Sequence, residues 1–145
     1  MRAIDPGGSS AFVANVGSGN ADDICGHGTA RSANGCITAY TIDQYGILTS
    51  TPVRTRNDYI DTGATPSSIR ISPDGTHLYV TNSADATISI YIINPDGTLN
   101  SDTPVSTGSG PTAFTIHPSG LFAYVVNTND NTVSVYAITA GPLSA

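Results

Sequence analysis

Apolar and polar residues alternate with a period of two through most of the chain. The clearest run lies between Ile71 and Tyr91. There Leu78 and Val80 fall on one side of an extended segment, Tyr79 and Thr81 on the other. Ile88, Ile90 and Ile92 then alternate with Ser89 and Tyr91. This period predicts β-strands, and apolar residues on both sides predict sheets packed between sheets. Turn signals punctuate the runs: Pro73-Asp74-Gly75 presets φ at the proline and supplies positive φ at the glycine, and Pro95-Asp96-Gly97 repeats it.

The same text recurs. Residues 71–82 return 45 positions later as 116–127 and occur earlier, more weakly, as 4–15. Each copy is followed by an alternating segment: 88–91, 133–136 and 37–40. The pattern predicts strands over 2–5, 11–16, 36–42 and 47–55; over 68–72, 77–82, 87–93 and 98–106; and over 113–117, 122–127 and 132–138, with a further strand due near Leu143. It divides one domain, 1–145, into three units of about 2–63, 67–108 and 112–145. Residues 17–35 interrupt the first unit as a Gly-rich insertion, and the third lacks its outer strand. A four-stranded sheet with two apolar faces cannot bury them alone, so the units must stack. The expected fold is all-β: antiparallel four-stranded β-propeller blades, about three in number with the last incomplete, forming an open segment or part of an oligomerically completed ring.

Composition sharpens this. All five cations are Arg and all eleven anions are Asp, with no Lys or Glu, the usual cover of helical surfaces. A net charge of −6 and the lack of clustered cations argue against nucleic acid. No apolar run is long enough for a membrane-spanning helix. The N-terminus has no basic region followed by an apolar stretch, so no signal peptide is expected there. Cys25 and Cys36 nevertheless suit a disulfide and an extracytoplasmic, periplasmic or secreted, location. The two observations agree if Met1 is not the natural start or the chain is a piece of a longer secreted protein.

Tyr79-Val80-Thr81-Asn82, preceded by Ser72-Pro73-Asp74-Gly75, resembles the YVTN β-propeller repeat. Tyr124-Val125-Val126-Asn127 and Phe12-Val13-Ala14-Asn15 are its further copies. The chain as a whole resembles part of the seven-bladed lactonase-like propellers, which include bacterial 6-phosphogluconolactonase homologues. That resemblance implies a central channel lined by the first strand of each blade. It also implies an entrance face formed by the loops between second and third strands and by the blade links.

On that face the resemblance places Asn15, Asn82, Asn127, Asp85, Asp130, the links at Thr65-Pro66 and Gly110-Pro111, and the insertion with Asp22, Asp23 and His27. They form either a polar binding rim or ordinary turn chemistry, since Asn and Asp cap strand ends. The insertion is either a recognition loop over the channel mouth or a stapled decoration. Cys25 and His27 lack a second pair at zinc spacing, so no metal is expected, and no cofactor. Arg70, in a first strand, would hold a sugar acid or phosphate, or else pair with a neighbouring Asp. His117 would serve acid–base chemistry in the channel, or else mark a solvated turn edge, as its counterparts Ser72 and Asp5 suggest. No Ser-His-Asp order or phosphate loop is visible. Two functions follow: a binding or scaffolding module completed by self-association or by other blades, and a sugar-lactone hydrolase acting on a small sugar or sugar acid.

Overall fold

The computed structural model describes residues 1–17, 34–50, 60–139 and 142–145. All regular structure among them is antiparallel strand, arranged in three sheets. The first contains β1 (Arg2–Ile4), β2 (Ser10–Asn15), β3 (Asn34–Ile42), β4 (Leu48–Ser50) and β5 (Ile60–Ala64). The second contains β6 (Pro66–Ile71), β7 (His77–Asn82), β8 (Thr87–Ile93), β9 (Leu99–Ser101) and β10 (Val105–Ser106). The third contains β11 (Pro111–Ile116), β12 (Phe122–Asn127), β13 (Thr132–Ile138) and β14 (Leu143–Ser144). The sheets are blades 1 to 3 of a partial propeller. The first three strands of each blade pair in order, leaving β1, β6 and β11 at one edge. Those edge strands are neighbours across blades and converge on one side of the stack.

Blade 2 is sandwiched, and its alternation explains why. Ile69, Leu78, Val80, Tyr91 and Leu99 pack towards blade 1, against Phe12, Ala14, Ile37 and Ala39. Tyr79, Ile88 and Ile90 pack towards blade 3, against Phe114, Ala123, Val125, Tyr136, Ile138 and Leu143. Neighbours in sequence, Leu78 and Tyr79, thus serve different interfaces, and both are wholly buried. Burying each such side chain stabilises by about 1.5–3 kcal/mol.

Three expectations need correction. The outer strand expected over 98–106 is split. β9 pairs with Tyr91–Ile93 and β10 with Thr87–Ile88, while Pro104, which lacks an N–H to continue the ladder, lies between them. In blade 1 the segment 60–64, read as connection, is the strand β5. It pairs with one end of β3 while β4 pairs with the other. The third outer strand is not missing: Leu143–Ser144 pairs with Ala137–Ile138, and Leu143 is buried.

Hydrogen bonds repeat between blades. The Tyr91 hydroxyl donates to the Asp61 carbonyl at 2.7 Å, and Tyr136 donates to the Ser106 carbonyl at 2.7 Å. Each ties the third strand of a blade to the outer strand of the blade before. Burial pushes the Tyr91 hydroxyl up to about 12, with the Asp61 charge adding to the shift against a smaller opposing effect of Ser89. Burial also raises Tyr79 to about 12, helped by the Asp74 charge. The folded chain therefore keeps these protons to a higher pH than the unfolded chain does, which releases them near 10. Their stabilisation is complete below about pH 10 and lost as pH rises through about 12. Urea melts should show a flat stability up to about pH 10 and a fall above it. Tyr91→Phe should flatten that fall while lowering the neutral-pH stability by about 1 kcal/mol for the lost hydrogen bond.

Candidate functional site

Two faces of the stack carry different chemistry. On one, the hairpin tips between second and third strands reach the blade links. The Asp85 carboxylate accepts from the Ala64 N–H at 2.7 Å, and Asp130 accepts from the Ser109 N–H at 2.6 Å. Ser83 N–H donates to the Thr65 carbonyl, and Thr128 N–H to the Gly110 carbonyl. In blades 2 and 3, Asp85 and Asp130 thus each clamp their own hairpin to the preceding link.

The asparagines lie deeper. Asn82 and Asn127 are wholly buried. Asn82 Nδ2 donates to Thr87 Oγ1 at 3.1 Å and Ser89 Oγ at 2.9 Å. Asn127 does the same with Thr132 and Ser134, at 3.1 and 2.8 Å. Their Oδ1 atoms meet no hydrogen-bond partner. Asn15 Nδ2 donates to Thr38 Oγ1 at 3.1 Å. All three tie the second strand to the third. Asp22, Asp23 and His27 lie outside the described residues. So does Cys25, and with it the Cys25–Cys36 pairing; Cys36 is buried in β3.

The clamp has a measurable consequence. Asp85→Ala leaves the buried Ala64 N–H without its acceptor and should cost about 1–2 kcal/mol in a denaturant melt. Asp85→Asn keeps an acceptor at that position and should cost less than half as much.

Arg70 and His117 occupy different settings. Arg70 lies on the edge strand β6, paired in register with Tyr79, and is exposed. Its Nη1 donates to the Ile69 carbonyl at 2.7 Å, so the guanidinium lies back along its own strand. His117 is exposed in the turn after β11. Its Nδ1 lies 2.7 Å from Ser119 Oγ and accepts from the Ser119 N–H at 3.1 Å. Its counterpart Asp5 caps its own turn through Gly7, Ser9 and Ser10, and Ser72 Oγ accepts from the His77 N–H. The same position serves as a turn cap in all three blades.

The opposite face holds a cavity of about 260 Å³ between blades 2 and 3, bordered by Asp74, His77, Tyr79, Ser119, Leu121 and Ile138. Hydrogen bonds from Ser72 Oγ, the Thr76 N–H and Thr76 Oγ1 hold the Asp74 carboxyl below its usual range, against a smaller effect of burial. His77 stacks on Tyr79 with ring centroids 6.4 Å apart. Sequence reasoning did not single out this cavity, because it arises where turns from two blades meet. The signal available was the repeated Pro-Asp-Gly turn, which marks where such grooves form. Among the described residues no group of three or more His, Cys or Asp side chains is placed to hold a metal ion.

The comparisons with known proteins agree with this architecture. The family of seven-bladed β-propeller lactonases matches residues 30–144. No curated protein sequence matches the chain. Among solved structures, a provisionally named 6-phosphogluconolactonase from Bacteroides uniformis is 27% identical, superposing with a TM-score of 0.76 over 99% of this chain and 37% of its own. A protein from Lactobacillus plantarum is 26% identical, with a TM-score of 0.76 over 99% of this chain and 39% of its own. The periplasmic gluconolactonase of Pseudomonas aeruginosa shares the fold at 19% identity, with a TM-score of 0.72 over 100% of this chain and 37% of its own. The chain spans less than two fifths of the length of these structures. On the match over residues 30–144 and the three stacked antiparallel blades, the chain belongs to the seven-bladed β-propeller lactonase family.

Proposed function

We propose that this chain supplies three adjoining blades of a sugar-lactone hydrolase, which works once further blades close the ring. The family match over residues 30–144 carries this reading. The placement of Arg70 supports it: an exposed guanidinium on β6, a strand of the converging edge, is suited to an anionic sugar acid or phosphate. Opening a lactone needs water to attack the ring carbonyl and a base to take its proton. His117 is a candidate donor to the lactone oxygen: its Nδ1 accepts from the Ser119 N–H, so the neutral ring carries its proton on Nε2, and the proton of the attacking water passes to solvent.

The test is hydrolysis of 6-phosphogluconolactone and of gluconolactone, measured against the spontaneous rate on the assembled species of verified mass. Arg70→Ala should raise KM for the phosphorylated substrate at least about tenfold, the loss of one charge-assisted contact. An Arg70→Ala, His117→Ala double variant with unchanged activity would remove both residues from the mechanism. A closed assembly that never exceeds the spontaneous rate would sink the hydrolase reading. A second reading, a binding or scaffolding module, is favoured by one observation: the outward face of blade 3 exposes Phe122, Val126, Val133 and Val135.

A further inference from the structure

Two corresponding grooves lie between blades, at the turns that join first and second strands. The one between blades 1 and 2, about 210 Å³, is bordered by Asp5, Ser10, Thr76 and Ile93 among others. The one between blades 2 and 3 is the cavity of about 260 Å³. Backbone bonds fix the correspondence: Ile93 N–H donates to the Thr76 carbonyl, and Ile138 N–H to the Leu121 carbonyl. Leu121 therefore stands where Thr76 does, and His77 where Ser10 does. The chemistry of the two grooves differs. Asp5 uses both carboxylate oxygens on its own turn: Oδ1 accepts from the Ser10 N–H, and Oδ2 from the Gly7 N–H and the Ser9 hydroxyl. Asp74 takes the Ser72 hydroxyl, the Thr76 N–H and the Thr76 hydroxyl all on Oδ1. Among the described residues no hydrogen bond reaches its Oδ2. The Thr76 hydroxyl has one proton, which goes to Asp74. His77 Nδ1, 2.7 Å from Thr76 Oγ1, therefore donates to it, and the neutral ring keeps its lone pair on Nε2. The larger groove thus offers a carboxylate oxygen and an imidazole nitrogen as acceptors. Beside them it has an apolar border of Pro73, Leu121 and Ile138, with Leu121 58% exposed. Of the described arginines, neither Arg2 nor Arg70 borders it.

We propose that the cavity between blades 2 and 3 binds a small primary ammonium ion with an apolar body. The ammonium brings three N–H donors and the charge opposite to Asp74. Asp74 Oδ2 and His77 Nε2 accept from it, and the body covers Leu121 and Ile138. Hydrogen bonds from Ser72 and Thr76 hold the Asp74 carboxyl below its usual range, so the opposing charge is present at neutral pH. A cavity of about 260 Å³ is smaller than sites for drug-sized ligands, which sets the size of the guest. An anion would meet Asp74 without a cation to offset it. A neutral alcohol would keep the apolar contact and lose the charge. Neither Arg70 nor His117 borders the cavity, and the test reads binding and not hydrolysis. Failure here therefore leaves the hydrolase reading untouched, and the reverse also holds.

The experiment is an NMR titration of the chain at neutral pH with three probes: 2-phenylethylamine, 2-phenylethanol and 3-phenylpropionate. The ammonium should shift the methyl signals of Leu121 and Ile138 saturably and leave those of Ile93, in the other groove, in place. Its Kd should lie at least about tenfold below that of the alcohol, the worth of one charge-assisted contact. The carboxylate should shift nothing. Asp74→Asn keeps an acceptor oxygen for the turn and loses the charge. It should raise Kd for the ammonium at least about tenfold and change that for the alcohol by less than about twofold. Because that change could also loosen the turn, Leu121→Arg provides a second arm. Its site is exposed and lies outside the bonds to Asp74, and it sets a cation beside the cavity. Ammonium binding should then be lost, with circular dichroism showing the blades still folded. No saturable shift at Leu121 and Ile138 would overturn the proposal. So would equal affinity for the alcohol, an equal response at Ile93, or undiminished ammonium binding by Leu121→Arg.

Discussion

Phe114→Ala should lower the stability of the chain by about 3–5 kcal/mol, the largest effect expected of any single substitution here. Phe114 is 1% exposed and stands at the junction of the second and third blades. Its ring stacks on Tyr79 with centroids 5.4 Å apart. Around it lie Ile88, Ile90, Ala123, Val125 and Tyr136. Truncation removes the ring contact and leaves a void whose walls belong to two different sheets. Neither sheet can close on it without shifting the other, so the cavity term persists. A domain of this size has about 5–15 kcal/mol of stability in all, so the variant should approach the edge of folding at physiological temperature. A urea or thermal melt reads it directly. Phe114→Leu, which keeps most of the volume, should cost about 1–1.5 kcal/mol.

Gly63→Ala and Gly108→Ala form the second large pair. Neither needs a left-handed backbone; the constraint is space. A Cβ at Gly63 would lie 2.6 Å from Asp85 Oδ2 and 2.7 Å from Asn82 Cγ and Nδ2. At Gly108 it would lie 2.6 Å from Asn127 Nδ2 and 2.9 Å from Asp130 Oδ2. Those side chains are pinned. The asparagine amides bond two hydroxyls each, and the aspartates hold the links. Relief means breaking the clamp or the asparagine bonds. Each variant should therefore lose about 1–3 kcal/mol, more than the roughly 0.4–1 kcal/mol that Ala gains over Gly in the unfolded chain. The check is a double-mutant cycle: Gly63→Ala made in an Asn82→Ala background should cost distinctly less than in the parent.

Much of this was legible in the sequence because propeller blades are a periodic solution to a periodic pattern. Leu78 and Tyr79 had to serve opposite faces, and they do. β7, β8, β12 and β13 have the bounds that the alternation predicts. The split outer strands were less legible, since short segments with one buried side carry little alternation; only Pro104 marked the break. The joint-forming tyrosines were visible as a repeat, but their partners are backbone carbonyls, which no side-chain pattern announces. The candidate site was least legible. Asn82 and Asp85 lie close in sequence, yet one is wholly buried and the other exposed at a hairpin tip. That difference is set by blade 2 meeting the link before it, a contact between units that no single repeat contains.

The central claim is that β7 lies between two blades and divides its side chains between them. Methyl and aromatic proton contacts measured by NMR in solution test it most directly. The account predicts contacts from Leu78 and Val80 to Phe12 and Ile37, and from Tyr79 to Phe114, with none from Tyr79 to Phe12. Leu78 and Tyr79 sharing one set of partners would contradict it.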